Sequence, residues 1–178
     1  TTIHKIEKNF LNDLNEFQFE KLVNFLNENV FYIEKKFNYF IKNIYIVLEH
    51  KEFIPIGISI KKQNHGKIIL KNDIIYSLNE IRNYCKKTFE GKKIIHMLID
   101  NYIIDSKSYS QLPKKLISNN FALDVKFICL PRNIVKDLEE ILKKYQIAIQ
   151  QLVELSYVSK LSLESKDDIF LTTKNVIE

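Results

Sequence analysis

Apolar and polar positions follow two rhythms along this chain, and the changes from one rhythm to the other mark out its elements. The clearest helical rhythm starts at Ile134. Ile134, Val135, Leu138, Ile141, Leu142 and Tyr145 fall on one side of a helix, and Lys136, Asp137, Glu139, Glu140, Lys143 and Lys144 fall on the other. One face is core and the other water. A strand from Phe121 to Leu130 leads into this helix through a Pro131-Arg132-Asn133 corner, and a second apolar run follows from Ile147 to Val153.

Upstream, Phe19, Leu22, Val23, Leu26, Val30, Ile33 and Phe37 keep helical spacing, which predicts a helix of roughly five turns. Ile44 to Leu48 is an unbroken run of β-formers and reads as a strand covered on both faces. Pro55 and Gly57 imply a change of direction. After them Ile58 to Lys61 and Lys67 to Leu70 read as a hairpin around a Gln63-Asn64-His65-Gly66 turn.

Asn72 stands at an expected helix N-cap, with Asp73 beside the positive end of the helix dipole. That helix buries Ile74, Leu78, Ile81 and Cys85 and stops before Gly91. Ile94 to Ile99 is the next strand, continuing or kinking into Tyr102 to Asp105, and Ser106 to Asn120 reads as an exposed loop of about a dozen residues. Residues 1–15 are weakly patterned and expected to be extended or partly helical. A last helix is expected from Leu155 to Leu163, with a polar tail from Glu164.

The order of elements predicts an α+β fold, a small antiparallel or mixed sheet with two helices packed on one face, since each helix carries a single apolar stripe.

Composition adds limits to this picture. With 178 residues, 46% of them hydrophobic, there is apolar material for one sizeable core or two small ones. The net charge of +5 rests on lysines spread along the chain together with abundant Ile, Asn, Phe and Tyr, a bias that AT-rich coding produces. We therefore assign the basic excess to a solvated surface rather than to a phosphate-binding stripe, and expect no nucleic-acid partner. No apolar run reaches the roughly 18 residues needed to span a bilayer, and no signal peptide is visible. The chain begins Thr1-Thr2 rather than with Met, as a piece of a longer protein would.

Candidate chemistry is sparse. Gly57, Gly66 and Gly91 each stand alone, so no glycine-rich loop is available to cradle a phosphate, and no nucleotide or other cofactor is expected. His4, His50, His65 and His96 share no metal-ligand spacing, and His96 within an apolar strand reads as a structural histidine. Asp100 and Asp105 flank Tyr102 and are expected to end strands and cap turns. Cys85 and Cys129 lie far apart in sequence and read as two buried, reduced thiols. Lys61-Lys62 and Lys114-Lys115 read as solvated positions that an acidic partner would also suit. No catalytic residue and no metal ligand is assigned.

Several stretches, in this order, resemble one family. A segment of the form His-x-Ile-Pro-x-x-Tyr-x-Val-Asp is matched by His96-Met-Leu-Ile-Asp-Asn-Tyr102-Ile-Ile-Asp105, with Ile99 in place of the proline. Leu70-Lys-Asn-Asp73-Ile74 is similar to its acidic helix start. Leu123-Asp-Val-Lys-Phe-Ile and Asn133-Ile-Val-Lys136 are similar to its Val/Lys-rich strand and the helix after it, across a shorter turn. Ile149-Gln-Gln-Leu-Val-Glu, followed by Ser159, is similar to its return strand, with the usual glycine replaced around Lys144-Tyr145-Gln146.

The family is the actin-like bacterial cell-division protein FtsA, and the resemblance is to its inserted subdomain 1C with parts of subdomain 1A on either side. It implies a division of the chain into residues 1–56 (1A-type helix and strand), 57–146 (1C-like module) and 147–178 (return strand, helix and tail). The phosphate loops of the actin fold, Asp-x-Gly-Thr/Ser in form, have no counterpart here, nor does an amphipathic membrane helix.

What the resemblance implies is therefore a non-catalytic scaffold in the cytoplasm, peripheral to the inner face of the membrane. It would contact copies of itself, the FtsZ ring and late division proteins, and would hold the membrane only through other segments. Tyr102, Lys114 and Lys115 are the partner-binding positions expected from it. A PilM-like scaffold of pilus assembly is an alternative in the same class, and a small basic nucleic-acid-binding domain one in a different class.

Overall fold

The computed structural model describes residues 18–49, 51–113 and 116–157. The expected α+β fold is present. It consists of a small parallel sheet, a larger antiparallel sheet, and helices that seal each of them.

The chain enters through helix α1 (Phe19–Phe37), whose Phe19, Leu22, Val23 and Leu26 turn inward. Asn38 ends it in the left-handed region (φ 50°), a conformation an asparagine tolerates, and donates its N–H to the Glu34 carbonyl. Strand β1 (Asn43–Leu48) follows. The expectation that it is covered on both faces is not met, because Tyr45 and Val47 are exposed while Leu48 is buried. Its partner, paired in parallel, is the last strand, β6 (Ala148–Glu154).

Between β1 and β6 the chain builds the larger sheet. Strand β2 (Ile54–Ile68) leads to helix α2 (Lys71–Thr88), strand β3 (Lys92–Ile104), the short β4 (Lys107–Tyr109) and β5 (Ile117–Pro131), in the spatial order β2-β5-β3-β4. The first strand of this sheet begins at Ile54. Central strand β5 shows the period of a half-covered sheet. Phe121, Leu123, Val125, Phe127 and Cys129 are buried in one cluster with Ile74, Leu78, Ile81 and Cys85 of α2, while Ala122, Asp124 and Lys126 alternate with them at intermediate exposure.

Two expectations fail here for identifiable reasons. The hairpin read between Ile58 and Leu70 is one continuous strand, and its partner is β5. The Asn64–Gly66 stretch is a bulge in that strand, where pairing jumps from Gln63↔Asn120 to Lys67↔Ser118, with His65 (φ 52°) and Gly66 (φ 69°) left-handed. Asn64 spans the bulge, its Nδ2 donating to the Lys67 carbonyl and to the Ser118 Oγ. Pro55 does not turn the chain either. It sits in β2, an edge strand, where a missing N–H removes no ladder bond if it points outward.

The second failure is the long loop. Ile104 pairs with Lys107, so Asp105 (φ 44°) and Ser106 (φ 69°) form a two-residue hairpin turn with both φ angles positive. The Asp105 carboxylate accepts the N–H groups of Asn119 and Asn120 and so fastens the turn to β5.

The N-cap of helix α2 is Leu70, two residues before the expected Asn72, and its N–H is donated to the Asp73 carboxylate (2.9 Å). Helix α3 (Arg132–Lys143) leaves β5 at Pro131 as expected. It does not join the α2 cluster; its Ile134, Val135 and Leu138 pack with Leu130, Leu48 and Leu152 and so bind the base of the large sheet to the small one. Its far end, Ile141 and Leu142, meets Leu26 of α1. The Tyr145 hydroxyl donates to Asn27 Oδ1 (2.7 Å) across that contact. Of the expected last helix, Leu155 to Tyr157 is helical; the rest of it, the tail, and residues 1–15 lie outside the described residues.

Candidate functional site

The residues singled out from sequence fall in different parts of this fold. Tyr102 lies on β3, opposite Tyr109 of β4 on one side and Leu123 of β5 on the other. It is half-buried against the α2 cluster, and burial pushes its phenol above the ordinary tyrosine range. Leu112 and Leu116 pack on that same cluster. Lys114 and Lys115, between them in sequence, lie outside the described residues.

Several of the other candidates have defined partners within the fold. Lys62 forms an ion pair with Glu80 of α2 and lies 5.8 Å from the centre of the Tyr76 ring, so this lysine is committed to α2. Asp105 fastens a turn, as its sequence context suggested. Among the described residues no group of three or more His, Cys, Asp or Glu is placed to hold a metal ion. His4 and His50 lie outside them.

His96 has a defined task. It is buried on β3, and its Nε2 accepts the backbone N–H of Glu154 on β6 at 3.0 Å. Its ring lies 4.4 Å from that of Tyr157, tilted by 30°. Burial lowers its pKa, with the Glu154 carboxylate pulling partly the other way. An accepting Nε2 requires the neutral ring. Although burial opposes it, the Glu154 carboxyl is held below its usual range by hydrogen bonds from Ser156 Oγ, Ser156 N–H and Tyr157 N–H. His96 therefore ties the large sheet to the small one as a neutral acceptor, which is the structural role its place in an apolar strand implied.

Two features escaped the sequence. The first is a band of exposed aromatic side chains around the end of α1 and the outer face of β1: Phe31, Tyr32, Tyr39, Phe40 and Tyr45, of which Phe31 is 73% and Phe40 74% exposed. Helical spacing placed the first of these near an apolar stripe, and nothing in the pattern told which aromatics would remain exposed. The second is at the far end of the large sheet, where Ile68 and Ile117 pair with each other and remain exposed beside Leu70. The Leu116 carbonyl accepts the N–H of Ile69 there, so this apolar tip adjoins the 110–116 connection.

Both outer edges of the large sheet add to the surface on offer. β2 is paired on one side along its length, and β4 covers β3 from Tyr102 to Ile104. Unpaired strand edges and exposed apolar side chains are surfaces that bind other chains and have no chemistry of their own. Among the described residues no helix is long and apolar enough to cross a membrane. No protein-family model matches the chain, and no curated protein matches it significantly.

Proposed function

We propose that this chain is a non-catalytic contact module of a cell-division scaffold related to FtsA. The observation that carries this reading is topological. β1 ends at Leu48 and β6 begins at Ala148, with 99 residues between them, yet they are neighbours in one parallel sheet, and the four-stranded unit with α2 is threaded between them. That is the arrangement of a module inserted into a second subdomain, which is what the resemblance to subdomain 1C flanked by 1A pieces implies. The exposed apolar tip at Ile68, Leu70 and Ile117 and the edge of β2 supply contact surface at the end of the insert away from the base.

In this reading the chain works in the cytoplasm at the inner face of the membrane. It contacts FtsZ filaments, copies of itself and later division proteins, and membrane attachment comes from another part of a full-length adaptor. Tyr102, Lys114 and Lys115 contribute to the contact.

Co-sedimentation with FtsZ filaments, together with sedimentation velocity of the chain alone, tests the proposal. Binding or self-association is expected, and Tyr102→Ala combined with Lys114→Glu and Lys115→Glu is expected to weaken it about tenfold or more. A chain that neither co-sediments nor self-associates overturns the reading. Contact that survives all three substitutions overturns the placement of the surface.

A further inference from the structure

Strand β2 is an edge strand, and the phase of the ladder tells which of its backbone groups are free. The Arg132 N–H donates to the Gly91 carbonyl across the Lys92↔Pro131 pair, so Pro131 itself points away from β3 and toward β2. Counting back along β5 by twos, Cys129, Phe127, Val125 and Leu123 bond to β2, and the residues between them bond to β3. Ile54, Ile56, Ile58 and Ile60 stand opposite that set and spend their N–H and C=O groups on β5. Gly57, Ser59 and Lys61 aim theirs outward, and Pro55, which has no N–H to offer, falls in the same outward set. Among the described residues no strand pairs with that outer edge.

The same alternation sorts the side chains. Ile56, Ile58 and Ile60 lie half-buried on the α2 side of the sheet, and Gly57, Ser59 and Lys61 are exposed on the other. The flank of α2 that faces β2 is marked by Glu80, which pairs with Lys62. Tyr84 follows one helical turn later on that flank and is 60% exposed. Because α2 runs back along β2, a turn of about 6 Å matches two strand residues of about 7 Å, and Tyr84 stands level with Ile60. Edge backbone, half-covered isoleucines and an exposed tyrosine thus share one furrow.

We propose that this furrow takes an extended segment of a partner protein as an added antiparallel strand, with aliphatic side chains at alternate positions and acidic ones beside Lys61. The added strand bonds to the outward groups of Gly57, Ser59 and Lys61, and its aliphatic side chains lie over Ile56, Ile58 and Ile60 against Tyr84. Charge selects the occupant. From Ile54 to Ile68 the strand carries Lys61, Lys62 and Lys67 and no Asp or Glu, so an acidic segment complements it. A second copy does not, since two β2 strands overlapped over their whole length about a two-fold axis centre on Lys61 and set lysine against lysine. The inference rests on the reading of this chain as a contact module, and names what one of its surfaces takes.

The probe is the fluorescein-labelled peptide Glu-Thr-Glu-Val-Thr-Val-Thr-Val, titrated with the full chain and followed by fluorescence anisotropy. Saturable binding is expected, with slower hydrogen exchange at the Ser59 and Lys61 amides. N-methylation of the fifth and seventh peptide residues, which face Ser59 and Gly57, is expected to weaken binding about tenfold or more, and N-methylation of the fourth and sixth, which face away, to leave it nearly unchanged. Lys61→Glu is expected to weaken binding about tenfold. Ser59→Pro, which removes an outward N–H and no β5 bond, is expected to abolish it. Absence of saturable binding overturns the proposal, as does equal binding of a peptide of the same composition without the alternation, or equal loss from both N-methylated probes. A dimer of the chain that Ser59→Pro dissolves gives the edge to a second copy and also overturns it. The N-methylated probes decide the matter even if a variant fails to fold. Probe binding by a chain that neither co-sediments with FtsZ nor self-associates overturns the cell-division reading alone; co-sedimentation without probe binding overturns this inference alone.

Discussion

The inserted sheet and the base from which it rises are built to different standards. In the four-stranded unit each inward residue of β5 from Phe121 to Cys129 is buried under α2, and the opposite face is polar enough to meet water. In the base, two parallel strands are sealed on one side by α1 and α3, and the other side shows Tyr45 and Val47 to solvent. Parallel strands are ordinarily covered on both faces, and a two-stranded sheet alone is marginal. The difference teaches that the insert holds itself together, whereas the base draws its order from the insert through α3 and His96.

Removing one side chain from each region separates the two. Phe127→Ala empties a fully buried position in the insert and is expected to cost about 3–5 kcal/mol in urea unfolding. Tyr45→Ser, on the uncovered face of the base, is expected to change stability by less than about 0.5 kcal/mol. Comparable losses from the two would mean that the face of β1 is covered in solution. Within the insert, Asn64→Ala removes the side chain that spans the β2 bulge and leaves the buried Ser118 hydroxyl short of a partner, at an expected cost of about 1–3 kcal/mol.

The same contrast governs how much of the molecule was legible beforehand. Where one helix face or one strand face is buried, periodicity carries the answer, and α1, α2, β5, α3 and β6 lie close to where their apolar positions put them. Composition does not show where residues other than glycine take positive φ: Asp105-Ser106 is a tight hairpin turn without a glycine, and Gln63 to Gly66, turn-like in composition, is a bulge. Pairing partners are a property of the whole fold, so the β1–β6 pair had no local signal. Of the candidate site, Tyr102 was placed correctly on a strand, but its half-burial follows from β4, which the sequence had hidden in a loop.

Acid should act at the joint between the two regions. The folded-state pKa of His96 lies below its value in the unfolded chain, so between the two the unfolded state binds a proton that the folded state refuses. Stability is therefore expected to fall as pH drops below about 6.5 and to level off once the folded pKa has been passed. Glu154, whose pKa is also lowered, gives a separate loss at lower pH, below the ordinary carboxylate range. Because the His96 bond joins β3 to β6, the first phase should appear as faster hydrogen exchange at the Glu154 amide, with β2–β5 amides still protected. His96→Gln is expected to remove that phase. A pH profile unchanged by the substitution would show that the joint is held by α3 packing alone.

A small gain in stability is expected from the end of α3, where the base is reached again. Gln146 sits at φ 59°, and beyond it the Ile147 N–H reaches back to the Leu142 carbonyl, a helix ending that glycine usually provides. A side chain in that conformation meets its own backbone, and a glycine there does not. The gain is partly offset, since glycine also loses more freedom on folding. Gln146→Gly is therefore expected to raise stability by about 0.5–1 kcal/mol without moving the strand it introduces. Since β6 begins at Ala148, a relaxed turn should protect the β1–β6 amides from exchange and leave those of the insert unchanged. Protection gained equally in both sheets would mean that they unfold as one unit, and the contrast between insert and base would then describe packing but not stability.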